Sequence, residues 1–223
     1  MKIARLIFNP IQENTYIIWG DTLEAAVIDA GNMNERENEV LAKFIADNGL
    51  KPKYALNTHG HFDHLMGVEF LRSRYGAKFA VSSKDKFLVE SAKQNAAMFG
   101  IGGGDIVEVI DVDLEGMESI KFGQTELQII TTPGHTPGHV VFYEPQAKVL
   151  FTGDTLFRGS IGRTDLPGGD YSWIMCSILD DIVPLGDDVT IYPGHEDSST
   201  IGHEVLYNPF ITEVLNNEIN YKG

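Results

Sequence analysis

One cysteine in 223 residues, Cys176, excludes an internal disulfide, so burial alone must hold this chain together. No apolar run approaches the roughly 20 residues that a membrane span requires. The opening stretch Met1 to Pro10 holds too short an apolar segment for a signal peptide, and with the lone thiol this reads as a cytoplasmic protein. Basic residues are scarce: 17 Lys and Arg stand against 32 Asp and Glu, giving a formal charge of −15. Such a chain carries no electrostatic footprint for phosphate backbones, so neither nucleic acid nor a membrane is expected as partner. Short-period repeats, low-complexity tracts and Pro/Ser-rich linkers are also missing, and one domain spanning 1–223 is expected.

What is present is a β-rich start followed by alternation. Runs at Lys2 to Phe8, Thr15 to Gly20 and Ala25 to Asp29 read as strands, the last two joined by a Gly-Asp turn. A helix then begins after Asn34 as N-cap, with Val40, Leu41, Phe44 and Ile45 on one face and Gly49 as its stop. Tyr54 to Asn57 and Lys78 to Val81 read as strands, Leu65 to Tyr75 and Lys84 to Phe99 as helices. In the latter, Phe87, Leu88, Ser91, Ala92, Asn95 and Met98 are spaced for a buried face. The glycine-rich break from Gly100 to Gly104 separates two similar halves. Strands are expected after it at Ile106 to Ile110, Ser119 to Phe122, Glu126 to Thr131, His139 to Tyr143, Lys148 to Phe151 and Val189 to Tyr192. A helix is expected from Asp170 to Val183, and a tail helical in pieces from Ser199 to Asn217.

The chemistry concentrates in Thr58-His-Gly-His-Phe-Asp-His64, where three imidazoles and a carboxylate crowd into six positions. Such crowding is costly without a shared cation, and Zn²⁺ accepts both donor types. Three further segments end an apolar run in a glycine and then a donor: Pro-Gly134-His135, Thr-Gly153-Asp154 and Pro-Gly194-His195. Loops at strand ends commonly assemble sites in this way. The set divides into His59, His61 and His135 for one ion and Asp63, His64 and His195 for a second, with Asp154 bridging. Two divalent ions are expected, zinc first, with iron or manganese as alternatives. His139 and His203 lack this context and are not expected to ligate. Asp29 is either a turn carboxylate or the orienter of a ligand imidazole. Arg163 is either an anion binder near the substrate or the partner of Asp165 in an ion pair. Cys176, beside Trp173, Ile174, Met175 and Ile178, is expected to be a buried thiol. Gly102 to Gly104 lacks the strand-to-helix setting of a phosphate loop.

At these residues the chain resembles the metallo-β-lactamase superfamily, and within it the short, glyoxalase II-like hydroxyacylglutathione hydrolase branch. The resemblance rests on Val27-Ile-Asp-Ala-Gly31, the His59 to His64 loop, Pro133-Gly-His-Thr-Pro-Gly138, Gly153-Asp154 and Gly194-His195. For the branch it rests on Gly159-Ser-Ile-Gly-Arg-Thr-Asp165, Ile201-Gly-His-Glu204 and Asn208-Pro-Phe210. It implies an α/β fold, a four-layer αβ/βα sandwich of two pseudo-equivalent halves. It also implies thioester hydrolysis, of S-lactoylglutathione or a related acyl-thiol, through a metal-bound hydroxide, with Asp63 and Asp154 catalytic. Full-length glyoxalase II grips glutathione with a C-terminal helical domain. The 28 residues after His195 are too few to build one, so other thiol carriers enter the expectation. Persulfide dioxygenases of the superfamily share the loop and resemble one-iron sites at positions equivalent to His59, His135 and Asp154, which makes that oxidation the alternative. Class B β-lactamases, usually exported and often carrying Cys in place of Asp154, and tRNA-binding ribonuclease Z relatives fit this chain less well.

Overall fold

The computed structural model describes residues 1–101, 106, 107 and 109–221. Antiparallel pairing joins β1 (Lys2–Phe8), β2 (Glu13–Trp19) and β3 (Glu24–Ile28). The chain then crosses over through α1 (Glu35–Asp47), β4 (Lys51–Leu56), α2 (Val68–Tyr75), β5 (Lys78–Val81) and α3 (Lys86–Met98) to β6 (Val112–Asp113). Each of these later strands adds in parallel, in the order β1-β2-β3-β4-β5-β6. The second half repeats the scheme. β7 (Ser119–Phe122), β8 (Thr125–Thr131), β9 (Val140–Glu144) and β10 (Val149–Gly153) run antiparallel. After the ribbon of β11 (Leu156–Phe157) and β12 (Ser160–Ile161) and helix α4 (Tyr171–Cys176), β13 (Thr190–Pro193) joins β10 in parallel. β14 (Ser199–Thr200) closes that edge, and α5 (Ile201–Tyr207) and α6 (Pro209–Tyr221) follow.

Side-chain alternation on the strands builds four layers. In β2, Ile17 packs with Leu41, Ile45 and Phe79 beneath the first three helices. Its neighbours Tyr16 and Ile18 point the other way, into a core shared with Phe142 and Phe151 of the second sheet. The outer face of that sheet, Val141, Leu150 and Ile191, packs on Ile174, Ile178, Ile201 and Ile211. The result is the αβ/βα sandwich that the resemblance implies. Tyr16 ties the sheets together close to the site, meeting Tyr192 edge-on at 5.5 Å and donating its hydroxyl to the Pro193 carbonyl at 2.7 Å.

Asn34 does cap α1, accepting from the Glu37 amide at 3.1 Å, and Gly49 follows its end at φ +63°. Other expectations need correction. Val40 is exposed on α1. The helix expected from Leu65 begins at Val68, because Phe62–His64 first makes a 3₁₀ turn. Gly102 to Gly104 lie outside the described residues, as does Glu108 of the expected strand Ile106 to Ile110. The described neighbours of Glu108 form no strand. Ile106, Val107 and Ile110 cover the helical core instead, and β5 pairs with Val112–Asp113. Helix α4 widens into a π-helix at Ser177–Ile182; the buried set is Ile174, Met175, Ser177, Ile178 and Ile182, and Cys176, on the side opposite Ile174 and Ile178, is exposed rather than buried. No described helix is long and apolar enough to cross a membrane.

Candidate metal centre

All seven expected donors converge at one edge of the sandwich. His59 and His61 follow β4, Asp63 and His64 sit in the 3₁₀ turn, His135 lies between β8 and β9, Asp154 directly follows β10, and His195 follows β13. Donor atoms of His59, His61 and His135 lie within 4.8 Å of one another, as do those of Asp63, His64 and His195, and those of His59, His64 and Asp154. Asp154 stands between the two trios. Its Oδ1 is 3.5 Å from His64 Nε2, and its Oδ2 is 3.5 Å from His135 Nε2 and 3.6 Å from His195 Nε2.

Hydrogen bonds on the far side of each ring set which nitrogen faces inward. Thr58 donates its hydroxyl to Asp29 Oδ2 at 2.8 Å, so its oxygen can only accept from His59 Nδ1 at 3.0 Å. His135 Nδ1 donates to the Arg163 carbonyl at 2.7 Å. Both rings therefore turn an Nε2 lone pair into the cluster, the tautomer that ligating histidines adopt. The buried atoms His59 Nε2, His64 Nε2 and Asp154 Oδ1 have no hydrogen-bond partner. Orphaned buried donors and acceptors are expensive. Together with a His/Asp donor set suited to Zn²⁺ or Fe²⁺, they show that the residues present fit a pair of divalent ions.

The electrostatics agree. Burial, and then the neighbouring imidazoles, push His59 well below the usual histidine range and His61 down to about 3, so both stay neutral. Burial opposes the charge on Asp63, yet His64 and His195 outweigh it and hold the carboxyl below its ordinary range. Burial likewise disfavours charge on His64 and His195, but the facing carboxylates win and raise both. Ligation requires neutral imidazole, so cation binding displaces protons from these two rings.

Several supports lay beyond the sequence reading. Asp85, buried at the start of α3, accepts from Gly138 N at 2.7 Å, Gly60 N at 2.9 Å and Thr136 Oγ1 at 2.7 Å, clamping the His59–His61 loop to the His135 loop. His139 is fully buried. Its Nε2 accepts from the Asp154 amide at 3.1 Å, and its ring stacks on His59 at 5.0 Å. Its Nδ1 lies 3.0 Å from the hydroxyls of Thr132 and Thr155, so both ring nitrogens are engaged and the ring braces the Asp154 backbone. Asp29, buried, accepts from Thr58, and its Oδ2 lies 3.3 Å from His64 Nδ1. Glu13, also buried, accepts from Thr15 at 2.8 Å. Gly194 permits close approach: a Cβ there would stand 2.3 Å from Asp154 Oδ1.

A cavity opens above the donors, lined by Ile11, Phe62, Phe157 and Ile161 as well as His61, Asp154 and His195. Arg163 reaches it while paired with both oxygens of Asp165, at 2.7 and 2.8 Å. The Ile201 to Phe210 segment holds this loop: Glu204 accepts from Gly159 N at 2.7 Å, and Asn208 donates to the Ser160 carbonyl at 3.0 Å. His203 is exposed on α5 and belongs to none of the donor groups.

A family model described as the metallo-beta-lactamase superfamily matches residues 8–195, and the chain belongs to that superfamily. With its donor cluster it is a metal-dependent hydrolase by class. It is 40% identical over 212 residues to hydroxyacylglutathione hydrolase GloC of Haemophilus influenzae, covering 95% of this chain and 98% of that protein. Among solved structures, BLEG-1 B3 metallo-beta-lactamase superposes with a TM-score of 0.85 at 32% identity, over 95% of this chain and 100% of the other. TTHA1623 in a di-iron-bound form does so with a TM-score of 0.82 at 36% identity, over 93% and 99%.

Proposed function

We propose that this chain hydrolyses a thioester, S-lactoylglutathione or a related acyl-thiol, as a single cytoplasmic hydrolase domain spanning residues 1–223, without a nucleic-acid or membrane partner. The observation that carries the reading is the pair of donor trios sharing Asp154 beneath an open cavity. His59, His61 and His135 would hold one ion, Asp63, His64 and His195 the other, and Asp154 both; zinc is the proposed ion. When bound, such ions supply Lewis acidity and a water acidic enough to react at neutral pH. Asp63, kept anionic beside His64 and His195, orients the attacking water by accepting its proton in a hydrogen bond. No side chain need form a covalent intermediate. His139 and Asp29 keep Asp154 and His64 aligned while the cavity walls limit bulk water around the acyl carbon.

The similarity to GloC supports thioester cleavage, and the similarity to BLEG-1 makes β-lactams the necessary comparison. The second donor trio favours two ions over the one-iron dioxygenase. The test combines metal analysis with four assays: acyl-glutathione thioesters, acyl-CoA thioesters, a chromogenic cephalosporin, and oxygen uptake with glutathione persulfide. Two ions per chain with thiol release and no oxygen uptake are expected, and turnover should vanish in Asp154→Ala while the fold persists. One iron with oxygen consumption, or cephalosporin turnover alone, overturns the proposal.

A further inference from the structure

The cavity over the donors has a volume of about 630 Å³, and its floor and walls differ in character. The floor is polar, made by the donors themselves. The walls are mainly apolar: Phe87, Met98 and the following Phe99 come from α3, which also presents Ser91 and Asn95, while Phe157, Ile161 and Leu166 come from the β11–β12 ribbon and the loop after it. Helix α3 thus carries two apolar faces. Val89, Ala92 and Ala96 are buried in the core beneath the helices, and Leu88, also buried, borders the cavity. Phe87, Met98 and Phe99 stay 42%, 74% and 59% exposed. An apolar patch on the rim of a polar centre is the usual mark of a ligand surface.

Charge narrows the ligand further. Among the described residues lining the cavity outside the donors, Arg163 is the only cation, and Asp165 already takes one edge of its fork, through Nε and Nη2. Glu196 adds a carboxylate to the lining, and the chain as a whole carries −15. A thiol carrier with two carboxylates, as in glutathione, meets a single guanidinium already shared with Asp165, beside Glu196 and on a chain of negative net charge.

We propose that the substrate class is a thioester with an apolar acyl group, aromatic or branched aliphatic, laid against Phe87 and Phe157, on a carrier that needs no carboxylate. The inference rests on the thioester reading above and specifies what fills the cavity. The balance is simple: water's oxygen bonds to the acyl carbon, the C–S bond breaks, and water's protons end on the released thiol and acid.

The experiment compares kcat/KM for phenylacetyl and lactoyl thioesters, each on glutathione and on neutral N-acetylcysteamine. Phenylacetyl should exceed lactoyl by about tenfold or more on either carrier, and changing the carrier should matter by less than that. The phenylacetyl-to-lactoyl ratio should fall about tenfold in Phe87→Ala and in Met98→Ala, both exposed and so free of core packing, mainly through KM. Lactoyl preference, a strict need for glutathione, or an unchanged ratio in both variants overturns the inference. Binding of the unreactive thioether S-phenethyl-N-acetylcysteamine, followed by calorimetry, separates it from the activity itself. A negative heat-capacity change that shrinks in Phe87→Ala supports the apolar wall even if no thioester turns over, which would sink the reaction instead. Absent binding of that thioether overturns the wall.

Discussion

The carboxylate of Asp85 accepts the hydroxyl of Thr136 at 2.7 Å, one residue beyond the donor His135, while the same carboxylate holds the amide of Gly60 between donors His59 and His61. One acid therefore sets the spacing of a whole donor trio without touching it.

In Asp85→Asn an NH₂ group must face either Gly138 N–H or Gly60 N–H, donor against donor. The chain should still fold, with metal affinity reduced about 10- to 100-fold, the range typical for partners that orient ligands. Competition against a chromophoric chelator measures it. Wild-type affinity in the variant would remove Asp85 from the support of the site.

Gly194→Ala places a methyl 2.3 Å from Asp154 Oδ1 and 2.7 Å from His64 Cε1. Neither neighbour has room to retreat, since His64 is fully buried and Asp154 is tied through its amide to His139. Loss of at least one ion per chain is expected by metal analysis, with near-native circular dichroism. Retention of both ions would contradict this geometry.

Chelation should lower the melting temperature as well as abolish turnover, because a cation binds only the folded cluster. Each ion at a hundredfold over its dissociation constant contributes about 2.7 kcal/mol, or roughly 5–10 °C for a chain of this length. Re-addition of metal should restore both; an unshifted transition would separate the donors from stability.

Glu13 supplies a pH signature in chelated protein. Burial, partly offset by His64, raises its carboxyl well above the ordinary range. The folded state then holds a proton that the unfolded state has released, so stability is fullest below the ordinary glutamate pKa and declines as pH rises through the raised value. Glu13→Gln cannot titrate, and its melting temperature should fall less between pH 5 and pH 8 than that of the wild type. Parallel curves would show that Glu13 does not carry this dependence.

The donors are legible because ligand chemistry is local: five of the seven directly follow a glycine or another donor, and His59 and Asp63 belong to the same short loop. Asp85 is not, since Ser83-Lys84-Asp85-Lys86 reads as the charged start of any surface helix. Its partners lie 25 to 53 residues away. Phe87 and Met98 had the right period but the wrong destination, because periodicity reports a shared face and not whether core or cavity covers it. Cys176 has apolar neighbours in sequence, but it stands about half a turn from buried Ile174 and Ile178, and the helical period turns it to solvent. The order of the halves, by contrast, followed directly from the return of β-rich pattern in the second half.

The donors are strung from β4 to just past β13, so neither trio is complete until strands from both sheets are in register. During synthesis the His59–His64 loop emerges long before His195, and a nascent chain offers loose imidazoles rather than a socket. A complete donor set therefore depends on long-range pairing of the two halves, and a cation met by the loop alone finds only part of either trio.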